Sequence, residues 1–368
     1  MKKSYTQKIE DIMRDDHAKG GLAFFLFVLS IIYSLVMRIR AFFYTHGIFR
    51  TKRLPCKVIS IGNITLGGSG KTPMTIYLAR MLQKIGLRVL ILSRGYKGQY
   101  ERSIGIVSDG KKILMDAESA GDEPFLMAEK LTGVPVLVGK DRYECGCLAI
   151  QKFKPQVILL DDAFQHLRLH RDVDMVLMDR SRPLGNMHVV PRGTLREPAM
   201  HLNRANIFIF TRASQTQLDN QLSQIEHYVT NKPLLRCRHV PDQLMQTDDA
   251  GRVAIFEPSS LSEHRIFAFS GIANNSDFLR MINGLGYQTV SSEMFQDHHV
   301  YSDSDLDTLA EQAKASGAEC IVTTEKDYVK IIKRIHWALP VFALGIRLSF
   351  GNDSEYFEKV IKEKLNVS

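Results

Sequence analysis

One stretch constrains the fold more than any other: Val58-Ile59-Ser60-Ile61-Gly62-Asn63-Ile64-Thr65-Leu66-Gly67-Gly68-Ser69-Gly70-Lys71-Thr72. A β-branched run leads into a Gly-rich turn, then Gly-Lys-Thr, then a helical pattern through Tyr77, Leu78, Met81 and Leu82. Strand, loop and helix in that order make a phosphate-binding P-loop. Successive backbone N–H groups curl around the phosphates, and the helix N-terminus adds its positive dipole end. The expected cradle is Thr65, Leu66, Gly67, Gly68, Ser69, Gly70, Lys71 and Thr72. Lys71 would reach the β- and γ-phosphates of a nucleotide, and the Thr72 hydroxyl would coordinate Mg²⁺. The pattern G-x-x-x-x-G-K-[ST] asks for glycine where this chain has Thr65; Gly67 and Gly68 offer the backbone freedom that Thr65 lacks.

A chain of 368 residues holds about two domains. Its 45% apolar and 24% charged content are those of a folded globular protein. The net charge of +8 calls for an anionic partner: nucleic acid, a phosphorylated substrate or an anionic membrane surface. No RRM, KH or zinc-finger pattern supports nucleic acid, and no obligate protein partner is evident. Five cysteines in a chain of this length make no disulfide framework. Cys145 and Cys147 lack the neighbours of a zinc site, so reduced thiols in a cytosolic compartment are expected.

Gly21 to Met37 carries no charge, and as a helix it would extend about 26 Å, near the lower limit for crossing a bilayer. Arg38, Arg40, Arg50, Lys52 and Arg53 follow, which places its C-terminal side in the cytoplasm if it spans. Ser30, Tyr33 and Ser34 also permit a helix lying in the interface. No small-residue cleavage site follows the run, so a signal peptide fits poorly. A buried core helix is the remaining alternative.

From residue 58 the chain alternates apolar runs with helical stretches. Arg88–Leu92, Pro135–Val138, Val157–Leu160, Met175–Met178 and Ile207–Phe210 read as strands of a P-loop NTPase-type α/β fold, a parallel sheet flanked by helices. Ligands in such sheets sit at the carboxyl ends of strands. Val157–Leu160 runs into Asp161-Asp162-Ala163-Phe164-Gln165-His166, the shape of a Walker-B element that holds Mg²⁺. Gly121-Asp122-Glu123-Pro124 also reads as ordinary helix-start chemistry. Ile207–Phe210 ends in Thr211-Arg212, which can be no more than a strand terminus. A polar segment from Ser214 to His227 suggests a boundary or linking helix. Beyond it, Ile266–Phe269, a strand near Thr289, Ile321–Thr324 and Val341–Leu344 make a smaller α/β lobe. The expected division is 1–50 as a membrane-associating helical segment, 51–215 as the P-loop core and 216–368 as the C-terminal lobe.

Several separated segments together resemble the tetraacyldisaccharide 4′-kinase family. They are Gly62-Asn63 with Gly67 to Pro73, Ser93-Arg94-Gly95-Tyr96, Gly121 to Pro124, Gly139-Lys140-Asp141-Arg142, Asp161-Asp162 with Phe164-Gln165-His166, Leu195-Arg196-Glu197-Pro198, Asp297-His298 and Thr324-Glu325-Lys326-Asp327. Small departures are Ala163, where the family has Gly, and Arg192-Gly193, where Ala-Gly is common. The resemblance implies an ATP- and Mg²⁺-dependent kinase acting on an acylated glucosamine disaccharide 1-phosphate at the inner, cytoplasmic membrane, with the catalytic domain on the cytoplasmic side. It implies Asp122 as the proton acceptor with His298 beside it, Lys71 as a catalytic cation, and Thr72, Asp161, Asp162 and Glu123 about the metal. Arg94, Tyr96, Arg142, Gln165, Arg196 and Glu197 would hold sugar and phosphate groups, since Arg forks suit phosphate oxygens.

Two readings from other classes compete. A P-loop GTPase or ATPase switch would carry an N-K-x-D-like guanine reader, of which Phe210-Thr211-Arg212-Ala213 is a poor copy. A tethered nucleotide-binding scaffold would tolerate loss of Lys71 or Asp122.

Overall fold

The computed structural model describes residues 5–212, 223–248, 252–297, 299–331, 334 and 337–367. Two helices open the chain, α1 (Tyr5–Arg14) and α2 (Gly21–Thr45). Eight strands then form a first sheet: β1 (Lys57–Asn63), β2 (Val89–Ser93), β3 (Gly105–Ser108), β4 (Val136–Val138), β5 (Val157–Asp161), β6 (Val173–Asp179), β7 (Ile207–Thr211) and β8 (Leu234–Arg236). Their order is β3-β4-β2-β5-β1-β6-β7-β8, parallel throughout except for β3 at the edge. The all-apolar runs read from the sequence are the strands of this sheet, because helices cover both faces and leave no solvent side to make polar. Those helices are α3 (Lys71–Lys84), α4 (Ala117–Ala120), α5 (Asp122–Lys130) and α6 (Arg142–Phe153), with a short α7 (Glu226–Val229) before β8.

Only Cys237 separates β8 from the second sheet. That sheet contains β9 (Arg238–Thr247), β10 (Val253–Phe256), β11 (Arg265–Ser270), β12 (Gln288–Met294), β13 (Cys320–Thr324) and β14 (Val341–Ser349), ordered β10-β9-β14-β13-β11-β12. β9 pairs antiparallel with β10 and β14, and the other pairs are parallel. Its helices are α8 (Asn275–Gly284), α9 (Asp303–Ala315) and α10 (Glu325–Ile331). A capping box starts α9: Ser302 Oγ accepts from the Asp305 N–H and the Asp305 carboxylate answers the Ser302 N–H. The last helix, α11 (Ser354–Leu365), returns to the first sheet. Phe357, Val360, Ile361 and Leu365 share one core with Leu78 and Leu82 of α3. The Tyr77 ring lies 5.1 Å from Phe350 and 5.8 Å from Phe357. The residues from 216 onward therefore contribute to both sheets. Much of the polar segment from Ser214 lies outside the described residues.

Helix α2 is not a buried core helix. Ala23, Leu26 and Ser30 are buried, the Tyr33 hydroxyl donates to the Arg196 carbonyl at 2.8 Å, and Arg40 donates to the Gln165 carbonyl at 3.0 Å. These positions fall three, four or seven residues apart, so they form one stripe that docks on the first sheet's side of the molecule. The remaining face is apolar and bare: Phe24 is 69% exposed, Phe25 58% and Leu35 57%. The helix is long and apolar enough to cross a membrane by length and composition. Arg192, one of the family departures, is buried and donates to the carbonyls of Ile12 (2.9 Å) and Asp15 (3.1 Å), which ties the end of α1 to the core.

Candidate active site

The site follows from strand order. β1 lies between β5 and β6, with Ile61 opposite Asp161, so the loop leaving β1 emerges beside the acidic end of β5. At Gly62 a Cβ would stand 2.6 Å from the Phe164 Cβ, so only glycine lets these two strand ends approach. Gly70 adopts φ +82 as the N-cap of α3, and a Cβ there would meet His239 at 2.8 Å. Thr65 does not sit in the cradle. It forms an antiparallel bridge with Leu195, the Leu66 N–H donates to the Thr194 carbonyl (2.7 Å), and the Arg196 N–H donates to the Ile64 carbonyl (2.7 Å). An extended, β-branched residue suits that bridge, which explains a threonine where the pattern wants glycine. Leu66 through Thr72 line the cavity instead.

That cavity has a volume of about 1620 Å³. Asp161 is buried at its floor and accepts from Thr75 Oγ1 (3.1 Å) and Ser93 Oγ (3.4 Å). Burial, and then the like charges of Glu123 and Asp162, push Asp161 up to about 7 against the pull of Lys71. Asp162 behaves oppositely. Burial alone would raise it, but Lys71 and Arg196 outweigh burial and hold it below the usual carboxylate range. Its Oδ1 is 2.7 Å from Arg196 and 3.7 Å from Lys71 Nζ. Two adjacent acids thus divide, one raised so that it titrates near neutrality and one held ionised.

Glu123, Arg94, Tyr96, Arg142, Gln165 and Arg196 also line the cavity. Arg142 is buried at the start of α6 and donates to the Gly139 carbonyl. Arg94 Nε lies 2.9 Å from Glu101. Gln165 donates to the Asn63 carbonyl (2.8 Å) and to Glu197 (2.9 Å). Glu197 departs from expectation: it is buried and is not a lining residue. His201 Nδ1 (2.8 Å) and Arg204 (2.5 Å) surround it. Burial works against its charge, and hydrogen bonds from His201, Arg204 and Gln165 prevail and push it down to about 2. Glu197 anchors the loop that carries Arg196 through its bonds to Gln165, His201 and Arg204.

Asp122 heads α5 and is not among the lining residues, although its neighbour Glu123 is. Its Oδ2 lies 3.1 Å from Lys330 Nζ of α10. His298 lies outside the described residues. Next to it in sequence, Asp297 lines the cavity and pairs with Lys326 at 3.1 Å, and Lys326 also stands 4.0 Å from Glu123. Lys130 pairs with Glu325 of α10. Three lysines therefore tie the two ends of α5 to the second sheet's helix. Lys326 and Lys330 carried no role in the sequence reading; the signal was their place one turn apart, after a strand ending Thr323-Thr324.

Arg212 is more than a strand terminus. It donates to the Gly68 carbonyl at 2.8 Å, pairs with Asp179, and reaches Asp277 of α8 at 2.5 Å. His166 also lines the cavity, pushed down to about 4 by burial and by Arg142 and Arg171.

The residues present fit a nucleotide and Mg²⁺. Ser69 Oγ and Arg196 Nε are buried without a hydrogen-bond partner, as donors awaiting an anion are. The candidate metal ligands are hard oxygens, and Mg²⁺ needs only one or two carboxylates plus phosphate oxygens. No group of three His, Cys, Asp or Glu that could by itself hold a metal ion stands among the described residues.

This arrangement has counterparts. The family model described as tetraacyldisaccharide-1-P 4′-kinase matches residues 22–366. A tetraacyldisaccharide 4′-kinase of Desulfatibacillum aliphaticivorans is 40% identical over 99% of both chains, and one of Syntrophus aciditrophicus is 40% identical over 94% of both. A crystal structure of LpxK from Aquifex aeolicus in complex with ATP superposes with a TM-score of 0.76 at 32% identity, covering 94% of this chain and 100% of that one. By its sequence, its fold and its P-loop geometry alike, this chain belongs to the tetraacyldisaccharide-1-P 4′-kinase family.

Proposed function

We propose that this chain transfers the γ-phosphate of ATP to the 4′-hydroxyl of an acylated glucosamine disaccharide 1-phosphate, a step of lipid A biosynthesis. The observation that carries this reading is the convergence of Lys71, Asp161 and Asp162 with Glu123, one residue from Asp122, on a cavity whose wall includes Tyr33, Met37 and Arg40 of the apolar α2. A lipid whose sugar must reach a nucleotide needs such a neighbourhood.

Phosphoryl transfer is mostly a matter of positioning and charge. Lys71 and the loop amides from Gly68 to Thr72 hold the β- and γ-phosphates. Thr72, Asp161 and Asp162, with Glu123 near, would hold a Mg²⁺ ion, which when bound would supply charge neutralisation at the phosphate oxygens. Arg196 keeps Asp162 ionised and Glu197 keeps Arg196 in place. Asp122 accepts the proton of the acceptor hydroxyl, with His298 as its companion and Lys330 Nζ 3.1 Å from its carboxylate. Arg94, Tyr96, Arg142 and Gln165 face the sugars. The division of labour follows the sheets: the P-loop core with α11 binds nucleotide, and the lobe built on β9–β14 brings Lys326 and Lys330 to the start of α5.

The docked stripe of α2 supports a helix lying in the interface with its bare apolar face in the cytoplasmic leaflet, and the net charge of +8 favours an anionic surface.

The test is transfer of radiolabelled γ-phosphate to tetraacyldisaccharide 1-phosphate in micelles, with Asp122→Ala beside the parent. Labelled lipid, and loss of most of the rate in the variant with ATP binding retained, are expected. Hydrolysis of ATP without labelled lipid would favour a switch; neither reaction would favour a scaffold.

A further inference from the structure

Helix α1 lies ahead of residue 22, where the match to the family model begins, and the proposed chemistry gives it no role. A helix of 10 residues is marginal in water on its own, so docking must hold it. Ile9, Ile12 and Met13, at i, i+3 and i+4, form its half-buried face. Two arginines hold its C-terminal end, where the last carbonyls lack helical partners and the dipole is negative. Arg182 donates to the Arg14 carbonyl (2.6 Å) and pairs with Asp16, but this bridge is exposed. Arg192 donates to the carbonyls of Ile12 and Asp15 and is itself buried, with no carboxylate partner among the described residues. A buried cation whose acceptors are two carbonyls of another segment binds that segment firmly, because losing them leaves the charge unpaired. The backbone behind Arg192 leads to the site. The Asn186 amide donates to the Arg192 carbonyl (3.2 Å), and a Cβ on Gly193 would collide with Asn186 and the His188 carbonyl, so the turn has no slack. Val190 lines the cavity, and its N–H donates to the Leu195 carbonyl (2.9 Å). Thr194 and Arg196 bond the backbone of Leu66 and Ile64, both at 2.7 Å, and Arg196 ends the path 2.7 Å from Asp162.

We infer that α1 is a clasp on the active site and that Arg192 is a positioning residue, which through the turn from Pro191 to Leu195 sets where Arg196 meets Asp162. What Arg196 and Asp162 then do rests on the kinase reading above. Alanine, common in the family at position 192, could bind no helix end. Arginine there makes the N-terminal helix part of the support of the catalytic loop, so unwinding α1 reaches Asp162 without any contact between them.

The experiment compares the full-length parent with Arg192→Ala, Arg192→Lys and Glu10→Pro, each alone and combined with Arg196→Ala. Glu10 is exposed in the middle of α1, so proline there unwinds the helix without touching the loop. The first readout is amide hydrogen exchange of the metal-free protein. Arg192→Ala and Glu10→Pro should each speed exchange of the Leu66 and Arg196 amides about tenfold, while the amides of β5 keep the parent's rates. The second readout is phosphate transfer to tetraacyldisaccharide 1-phosphate in micelles. Both variants should lower kcat about tenfold with KM for the lipid unchanged, and Arg192→Lys should recover part of the rate. With Arg196→Ala already present, neither should cost more than about twofold further. Faster exchange throughout the chain would mean a merely structural role and would overturn the inference. So would unchanged exchange at Leu66 and Arg196, or equal losses of kcat with and without Arg196. A parent that labels no lipid removes the kinase reading, and exchange alone then decides whether α1 clasps the loop.

Discussion

The two sides of the cavity are built differently. On the nucleotide side, backbone does the positioning: buried strands in fixed register, glycine at 62 where strand ends touch, and glycine at 70 in a left-handed conformation. On the acceptor side, long side chains span the gap: Lys330 to Asp122, Lys326 to Asp297 and Glu123, Lys130 to Glu325. Backbone cradles are set once the chain folds. The Lys326 and Lys330 bridges reach carboxylates that keep contact with solvent, so water and salt weaken them, whereas the Lys130–Glu325 pair is buried and holds. The nucleotide side is thus preorganised, and the acceptor side can open for a bulky lipid and close again.

Removing a group from the rigid side should have the largest effect. Lys71→Ala is expected to lower kcat by about 10²–10³-fold in the labelled-phosphate assay; a loss below tenfold would mean that the loop amides suffice. Glu197→Gln leaves Arg204 beside an uncharged partner, and breaking a buried pair of this kind costs about 3–5 kcal/mol in urea unfolding. The flexible side should respond less. Lys330→Met is expected to lower kcat about tenfold while KM for ATP stays unchanged. If KM for ATP rises instead, the two sides are not separable in this way. Raising KCl from about 0.05 to 0.5 M should weaken the lysine bridges and alter kcat about twofold, with Asp161 and Asp162 shielded by burial.

Asp161 gives the comparison a pH dependence. Its folded value near 7 exceeds the ordinary 3.8, so the folded chain binds the extra proton between those limits. Its contribution to stability is therefore fully present below about pH 4 and is lost as pH rises through 7. The metal-free Asp161→Asn variant should gain melting temperature relative to the parent as pH rises across that window. A constant difference would refute the raised value. Mg²⁺ must displace the same proton, so its affinity should fall as pH drops below about 7, measurable by calorimetry with ATP present.

What could be read from the chain depended on periodicity and on motif. The buried strands of the first sheet were legible because burial on both faces leaves uninterrupted apolar runs such as Val157 to Leu160. β3 and β8 were not, being short edge strands, and β9 was not, because its residues are mostly half-buried and follow no clean alternation. At the site, the P-loop and the paired acids were legible as local motifs. Thr65 was misplaced because its extended conformation comes from a bridge to Leu195, distant in sequence. Glu197 was expected to hold substrate from its place in Leu-Arg-Glu-Pro; only His201 and Arg204, four and seven residues on, betray its burial. Arg212, Lys326 and Lys330 act between elements that topology alone brings together.

The stripe along α2 carries a consequence for how encounter is counted. On the interfacial reading proposed above, a helix docked lengthwise, with one face on the cavity wall and the other bare, would make the lipid surface the last wall of the reaction chamber. On the interfacial reading, substrate arrives by lateral diffusion in two dimensions, and the quantity that sets the rate is its mole fraction in the surface. Diluting the substrate with inert detergent at constant bulk concentration should then slow the reaction as surely as removing it.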